Sequence, residues 1–435
     1  MQNSILGSFK LLVTDRSLSF DVVIFSILFL AIPIVLVTGP ALPDIFLSLI
    51  AFYFVYKSFL QKNWQYYKNP IVIGFLTFSG YGIIRSLFSE IPLESLTNEG
   101  SVFYFRYIFF SMGVWYLLDK NPYLSKCFLL VIIICIVVVS LDGIYQYIFD
   151  VNIFNNEKHG VDRLTGLFGT EPIIGRYISY LSLLAFVLIY QNLKISKKVI
   201  ILSLILLVTC EIIIFLSGER APLFSVSLFA ILILIFIPHF RLYRIVGIFS
   251  TILIIFVISF YNPTAKTRIW DNTIEEISET TFPFLPYSIH HEQHYASVLK
   301  MFIDKPIFGV GTNTFRFNCD KPQYKHSTVS CSSHPHQYYL QVLGELGITG
   351  FVFLISFYLY LLFIVFKQFF YVITSNKHKQ IPFELFNYPI ILFVYWWPLI
   401  PHMSFYNNWN NVLIMMPLGF FMKNFLGNKN YGYSI

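Results

Sequence analysis

The sequence predicts an all-α polytopic membrane protein of about twelve transmembrane helices, with one large and partly helical outer loop. Three observations predict it. The 435 residues are 56% hydrophobic and only 12% charged, with a mean hydropathy of +0.66, whereas a soluble domain carries about 25% charged residues. Apolar runs of roughly 17–25 residues, enough to cross a bilayer, recur along the whole chain. Lysine and arginine collect in every second short loop. A net charge of +7 in a soluble protein would suggest nucleic acid as a partner. Here the basic residues fall in short clusters between apolar runs, so they mark topology and no nucleic-acid partner is expected.

The runs lie near 21–38, 41–60, 70–88, 102–118, 126–147, 173–191, 198–217, 220–237, 243–261, 346–367, 383–403 and 409–426. With both termini cytoplasmic, the inner loops hold Lys57, Lys62 and Lys68; Lys120 and Lys126; Lys194, Lys197 and Lys198; Arg241 and Arg244; Lys367, Lys377 and Lys379; and Lys423 and Lys429. The short outer loops "TGPALP" and "SEIPLESLTNEGS" carry no Lys or Arg. Adding or removing one span inverts every later loop and breaks this agreement. The N-terminal "MQNSILGSFKLLVTDRSLSF" shows no cleavage site of a signal peptide, so the first long run is read as a span.

This divides the chain into residues 1–261, with nine spans and an outer loop near 148–172; a large outer loop at 262–345; and residues 346–435, with three spans and the C-terminus. Long loops are functional or disordered, and "SVLKMFID" and "HQYYLQVLGELG" give the large one helical stretches. Cys127, Cys135 and Cys210 lie in spans as apolar fillers. Cys319 and Cys331 share the large loop in "CDKPQYKHSTVSC", where a disulfide is the natural reading on an oxidising side. The rival is a zinc site with His326, His334 or His336, whose spacing matches no compact zinc knuckle.

Polar residues that invite chemistry sit on the outer side. In "SGERAPLF", Arg220 opens a span. It reads either as a phosphate or pyrophosphate ligand at a helix N-terminus or as a snorkelling boundary residue partnered by Glu219. In "RLTGLFGTEPIIGRYISYL", Arg163, Glu171 and Arg176 bracket glycines that let backbone approach a ligand; the alternative is an ordinary interfacial turn. In "SSHPHQYYLQVLGELGITG", His334 and His336 precede a helix. One of them could act as a general base near neutral pH, or both could belong to an interfacial belt with Tyr338 and Tyr339. Arg85 and Arg106 are read as structurally paired, with Glu90, Glu94, Glu99 or an anionic lipid as partners. Asp142 and Gln146 are read as helix–helix hydrogen bonders. No Walker loop, HExxH or GxSxG occurs, which argues against ATP-driven transport by this chain alone.

The ordered set "RLTGLFGTEPIIG", "SGERAPL", "MFIDKPIFGVGTNTFR" and "HPHQYYLQVLGELGITG" resembles the O-antigen ligase and polymerase superfamily of bacterial envelope glycosyltransferases. The resemblance covers most of the chain. It implies metal-independent transfer, without a cofactor, of a glycan from an undecaprenyl diphosphate carrier to an acceptor hydroxyl. A ligase would use lipid A–core as acceptor, and the site would face the periplasm from the inner membrane. The family's S-G-x-R arginine matches Arg220. Its H-N-x-x-L histidine, followed by E-x-G, matches His336 with Glu345 and Gly347, although Gln337 stands where the family has Asn. An arginine that many ligases carry before the "P-x-x-G-x-G" turn has no clear counterpart: "HHEQHYASVLKMF" offers His291 and His294, while Arg268 lies earlier and Arg316 follows the turn. The implied catalytic residues are His336 and Arg220, with Arg316, Arg163, Glu171, His334, Glu219 and His294 as substrate-binding candidates. A polymerase of the superfamily would use the same donor and a second lipid-linked glycan as acceptor, and a protein O-oligosaccharyltransferase would use a protein hydroxyl. A secondary transporter or flippase is the rival of another class, against which stand the lack of an internal repeat and the outward gathering of charge.

Overall fold

A computed structural model describes residues 5–97, 101–160, 163–237, 241–261, 266–279 and 288–427. The described residues are helical and form no strand; two isolated bridges, Val151 with Glu157 and His159 with Arg163, close the loop near 148–172. In order the helices are α1 (Ile5–Thr14), α2 (Phe20–Val35), α3 (Ala41–Leu60), α4 (Pro70–Leu87), α5 (Pro92–Thr97), α6 (Phe105–Lys120), α7 (Leu124–Phe149) and α8 (Ile174–Asn192). There follow α9 (Lys197–Ser217), α10 (Arg220–Phe236), α11 (Arg241–Tyr261), α12 (Asn272–Glu279), α13 (Ile289–Asp304), α14 (Phe315–Asn318), α15 (Tyr338–Ile373), α16 (Phe383–Tyr395) and α17 (Asn408–Phe421).

Among the described residues nine helices are long and apolar enough to cross a membrane, which makes the chain an integral membrane protein. All twelve apolar runs read from the sequence fall on helices, and three of those helices lie outside the nine. These are α10 with 17 residues, α16 with 13 and α17 with 14. At about 1.5 Å per residue, 13 or 14 residues reach roughly 20 Å, short of the roughly 30 Å hydrocarbon core. Of the about twelve spans expected, nine are borne out among the described residues as helices of spanning length. Burial gives the physical reason for the shortest two. Phe386–Tyr395 and Trp409–Phe421 are buried without a break. A helix apolar all round is covered on all sides, so α16 and α17 are cored by protein and need not match the thickness of lipid. By contrast α11 presents Phe249, Leu253, Phe256 and Phe260 outward.

The two ends of the bundle are sorted by polar contacts. At one end Arg106 of α6 meets Asp44 of α3 at 2.8 Å and Asn408 of α17 at 3.0 Å. At the other, Asp119 of α6 meets Lys423 at 3.4 Å and the Tyr66 hydroxyl at 3.0 Å. The partners expected for Arg85 and Arg106 are corrected in part: Glu90 acts on the charge of Arg85, and Glu99 lies outside the described residues. Arg106 takes Asp44, and Arg85 donates to the backbone carbonyls of Phe308 and Gly309 rather than to a glutamate. For these contacts sequence neighbours were the wrong place to look, because the bundle brings distant loops closer than adjacent ones. Asp142 and Gln146 are corrected too. Asp142 accepts from the Ile153 N–H at 3.0 Å, and Gln146 accepts from the N–H groups of Thr165 and Gly166, each at 2.8 Å. They fasten α7 to the loop after it, not to another helix.

α15 starts earlier than the predicted span near 346. It runs from Tyr338 and bends at Gly347, whose φ of 65° breaks the helical geometry. A Cβ at Gly347 would lie 2.4 Å from the Ile307 carbonyl carbon, so only glycine lets the large loop press against the helix there. Cys319 and Cys331 are joined by a disulfide with Cα atoms 5.1 Å apart.

Candidate active site at the loop end of the bundle

The junction between α9 and α10 begins the site. Gly218, in the left-handed region at φ 68°, ends α9, and extended Glu219 leads into α10. The Glu219 side chain does not cap its own helix. It reaches across to the first turn of α8, where its carboxylate accepts from the N–H of Gly175 at 2.6 Å and of Arg176 at 3.2 Å. A Cβ on Gly175 would sit 2.7 Å from Ser217 Oγ and 2.8 Å from Glu219 Oε1, which is why the "IIGR" turn needs its glycine. Burial pushes the Glu219 carboxyl up, while the charge of Arg176, the two N–H groups and Arg163 pull it back. Arg163 donates to the Pro172 carbonyl at 3.3 Å. Burial holds its pKa down, opposed by Glu219 and reinforced by Arg176 and Arg220. Two arginines, Arg176 and Arg163, thus act on one buried carboxylate.

Arg220 points away from Glu219. Its guanidinium forks onto Glu276 of α12 at 2.5 and 3.3 Å and donates to Thr273 Oγ1 at 3.0 Å. The expected Glu219–Arg220 pairing is replaced by this contact with the large loop.

A group of histidines faces these arginines. The His336 ring lies 4.1 Å from that of His334, 5.2 Å from His291 and 5.5 Å from His294, centroid to centroid. His336 has φ 58°, uncommon for a residue with a Cβ. It is fixed there because its carbonyl accepts from the His402 N–H at 2.8 Å. The His402 ring stacks on Tyr338 at 4.1 Å. Gln337 caps α15: its Oε1 accepts from the Leu340 N–H at 2.8 Å and its Nε2 donates to the Pro398 carbonyl at 2.6 Å. Burial pushes His336 down to about 4, with His294 and Arg176 adding to the effect. His291 is pushed down to about 3 by burial, then by His336, His294 and Arg220. His334 and His294 are lowered in the same way, chiefly by burial. All four stay neutral at pH 7. Among the described residues, no group of three or more His, Cys, Asp or Glu is set to hold a metal ion.

The third part is the turn before Arg316. The buried Glu345 carboxylate accepts from the N–H groups of Asn313 and Phe315, each at 2.9 Å. Its own carbonyl takes the Gly311 N–H at 2.8 Å. A Cβ on Gly309 would fall 2.3 Å from the Glu345 carbonyl carbon. So α15 grips the turn, and Arg85 holds it from the other side. This places Arg316 near enough to His334 for its charge to disfavour the protonated ring. Glu345→Ala would strand two buried N–H groups. The expected loss is on the order of 3 kcal/mol of local stability, read as a lower melting temperature of the detergent-solubilised protein; an unchanged melt would refute this anchoring role.

The structure therefore gathers Arg163, Glu219, Arg220, His294, Arg316, His334 and His336. Glu171 is exposed on its turn, next to Pro172, whose carbonyl Arg163 holds. The Arg268 side chain lies outside the described residues. One member, His402, was missed as a site candidate, and Arg176 was read in its glycine-rich stretch but given no role. Arg176 acts on Glu219, His334, His336 and His402, and its signal was its place in the first turn of a buried helix. His402 stands in "WWPLIPHMSF", where two prolines inside an apolar run mark a non-helical break.

Residues 202–355 match the family model described as O-antigen ligase. The match takes in Arg220, Glu276, the histidines of α13, Arg316, His336 and Glu345, and leaves Arg163, Arg176 and His402 outside. No curated protein matches the chain.

Proposed function

We propose that the chain, whose residues 202–355 match the family model described as O-antigen ligase, is a ligase-type glycosyltransferase of the O-antigen ligase and polymerase superfamily. In this reading it moves a glycan from an undecaprenyl diphosphate carrier to a hydroxyl of lipid A–core. It does so at the periplasmic face of the bacterial inner membrane, with both termini cytoplasmic. The observation that carries the reading is the meeting of Arg163, Arg176, Arg220 and Arg316 with a group of neutral histidines at one end of an apolar bundle. Arginine forks suit phosphate oxygens. A cavity of about 800 Å³ between α9, α10 and α11 begins at Leu223, one turn below Arg220, and continues past Ile231, Ile252 and Phe256. Its apolar walls suit the hydrocarbon tail of a lipid carrier.

The chemistry follows from the residues. The acceptor oxygen attacks the anomeric carbon as the bond from that carbon to the diphosphate oxygen breaks. The electron pair leaves with the diphosphate, whose growing charge is met by Arg220, Arg316 and Arg163. Neutral His336 takes the proton of the acceptor hydroxyl. Glu171 remains a candidate substrate contact from the loop margin, and His334 and His294 line the approach to His336.

The test is the lipopolysaccharide profile of a deletion strain. Lipid A–core without long chains, with polymer accumulating on the lipid carrier, is the expected result. Core bearing a single repeat unit would instead indicate a polymerase of the same superfamily, and an unchanged profile would overturn both.

A further inference from the structure

Beside Glu345, which is buried and tied to two backbone N–H groups of the turn before Arg316, the cluster contains two more carboxylates, and they are held very differently. Glu219 is buried and tied to two backbone N–H groups of α8; it cannot leave without uncapping that helix. Glu276 sits on the short helix α12 in the large loop. Its carboxylate takes both terminal nitrogens of Arg220, at 2.5 and 3.3 Å, and Thr273, one turn earlier, takes one of them at 3.0 Å. The outer face of α12 is open, with Ile274 exposed. The Arg220 and Glu276 side chains are themselves 35% and 25% exposed, so solvent and an incoming anion can reach the pair. A bidentate carboxylate presents two oxygens to a guanidinium in the geometry that a phosphate presents.

We infer that Glu276 is the resident anion of the Arg220 site: the donor's diphosphate displaces it, and it returns to displace the diphosphate product. This rests on the donor reading above. The physical case is one of charge. Without Glu276 the four arginines Arg163, Arg176, Arg220 and Arg316 face only the two buried carboxylates Glu219 and Glu345, and their excess positive charge would hold a diphosphate product tightly. With Glu276 competing, binding of either diphosphate is weakened by the ion pair that must first be broken. Turnover gains because the product meets the same competitor as the substrate. A group that competes with a ligand has a signature that a merely structural group lacks: removing it tightens binding.

The test uses the full-length protein in detergent, with farnesyl diphosphate as probe and calorimetric titration as readout. Glu276→Gln is expected to lower the Kd about tenfold, equivalent to about 1.4 kcal/mol. In the transfer assay the same variant should lower KM and also lower kcat, through slower product release. Glu276→Asp, which keeps the carboxylate, should stay within about threefold of the parent protein. Arg220→Ala should abolish tight binding, and adding Glu276→Gln to it should change nothing further. Glu276→Ala is the second variant, and tightening in it counts equally, should the glutamine variant prove misfolded by its melting curve. Unchanged or weaker binding in folded Glu276 variants, with Arg220→Ala still impaired, overturns the displacement role alone. Failure of the parent protein to bind the probe overturns the donor reading with it.

Discussion

Replacing His336 by asparagine lowers glycan transfer by about 10²–10⁴-fold, the usual worth of a positioned general base, while membrane insertion is unaffected. Asparagine is the sharper substitution because the backbone at this position is left-handed, with φ 58°. Asn tolerates that region better than other residues with a Cβ, whereas His336→Ala adds strain to the chemical loss. The pH profile checks the same role. The His336 pKa in the fold is about 4 because of burial, then His294 and Arg176, below the ordinary value near 6.5. The base is therefore neutral across the physiological range, and kcat/KM should stay flat from pH 8 to about pH 5 and fall near pH 4. The limb for kcat should sit at higher pH, since a bound diphosphate favours the imidazolium. Stability follows the same sign. Between about pH 6.5 and 4 the unfolded chain binds this proton and the folded one does not, so stability is present above pH 6.5 and is lost as pH falls. Full transfer by His336→Asn, or a kcat/KM limb near 6.5, would sink the assignment.

Arg220→Ala is the second large effect. Removing one preorganised donor from a developing anion costs about 10²–10³-fold in kcat. Because Arg220 holds the diphosphate of the bound donor and meets its growing charge in the transition state, kcat should fall and kcat/KM should fall further. Arg220→Lys keeps a charge but not the fork and should recover only part of the loss. A variant that lost only KM would make Arg220 a docking residue, and full activity in a ligation assay would remove it from the site. Arg316→Ala serves as the comparison, since its turn is held by Glu345 and its loss leaves the α10 junction untouched.

Much of the helical order was legible because lipid imposes one rule on each exposed span, a long unbroken apolar run. That rule weakens where protein replaces lipid. The α16 and α17 segments are as apolar as their neighbours, yet they are short and buried, and composition does not distinguish the two surroundings. In the site, "SGER" and "HPHQ" stood out because charge and histidine are conspicuous in an oily chain. What they bond to was not visible. Arg220 and Glu276 are 56 residues apart, and Glu345 finds Phe315 across 30. Such pairings depend on how loops fold over the bundle, which no local spacing encodes. The same blindness hid the hydrogen-bond partners of Arg85, which are carbonyls 223 and 224 residues away.

The Cys319–Cys331 bridge bears on when the protein becomes competent. Arg316 lies just before one cysteine and His334 just after the other, so closing the ring draws the two flanks of the site together. A thiol pair closes only in an oxidising compartment. On the predicted topology the nascent chain threads this loop out of the cytosol before its last spans are made. A finished arrangement of arginine and histidine would then arise only after export. On the proposed function, a loop still on the cytosolic side would remain unassembled and unable to use the donor there.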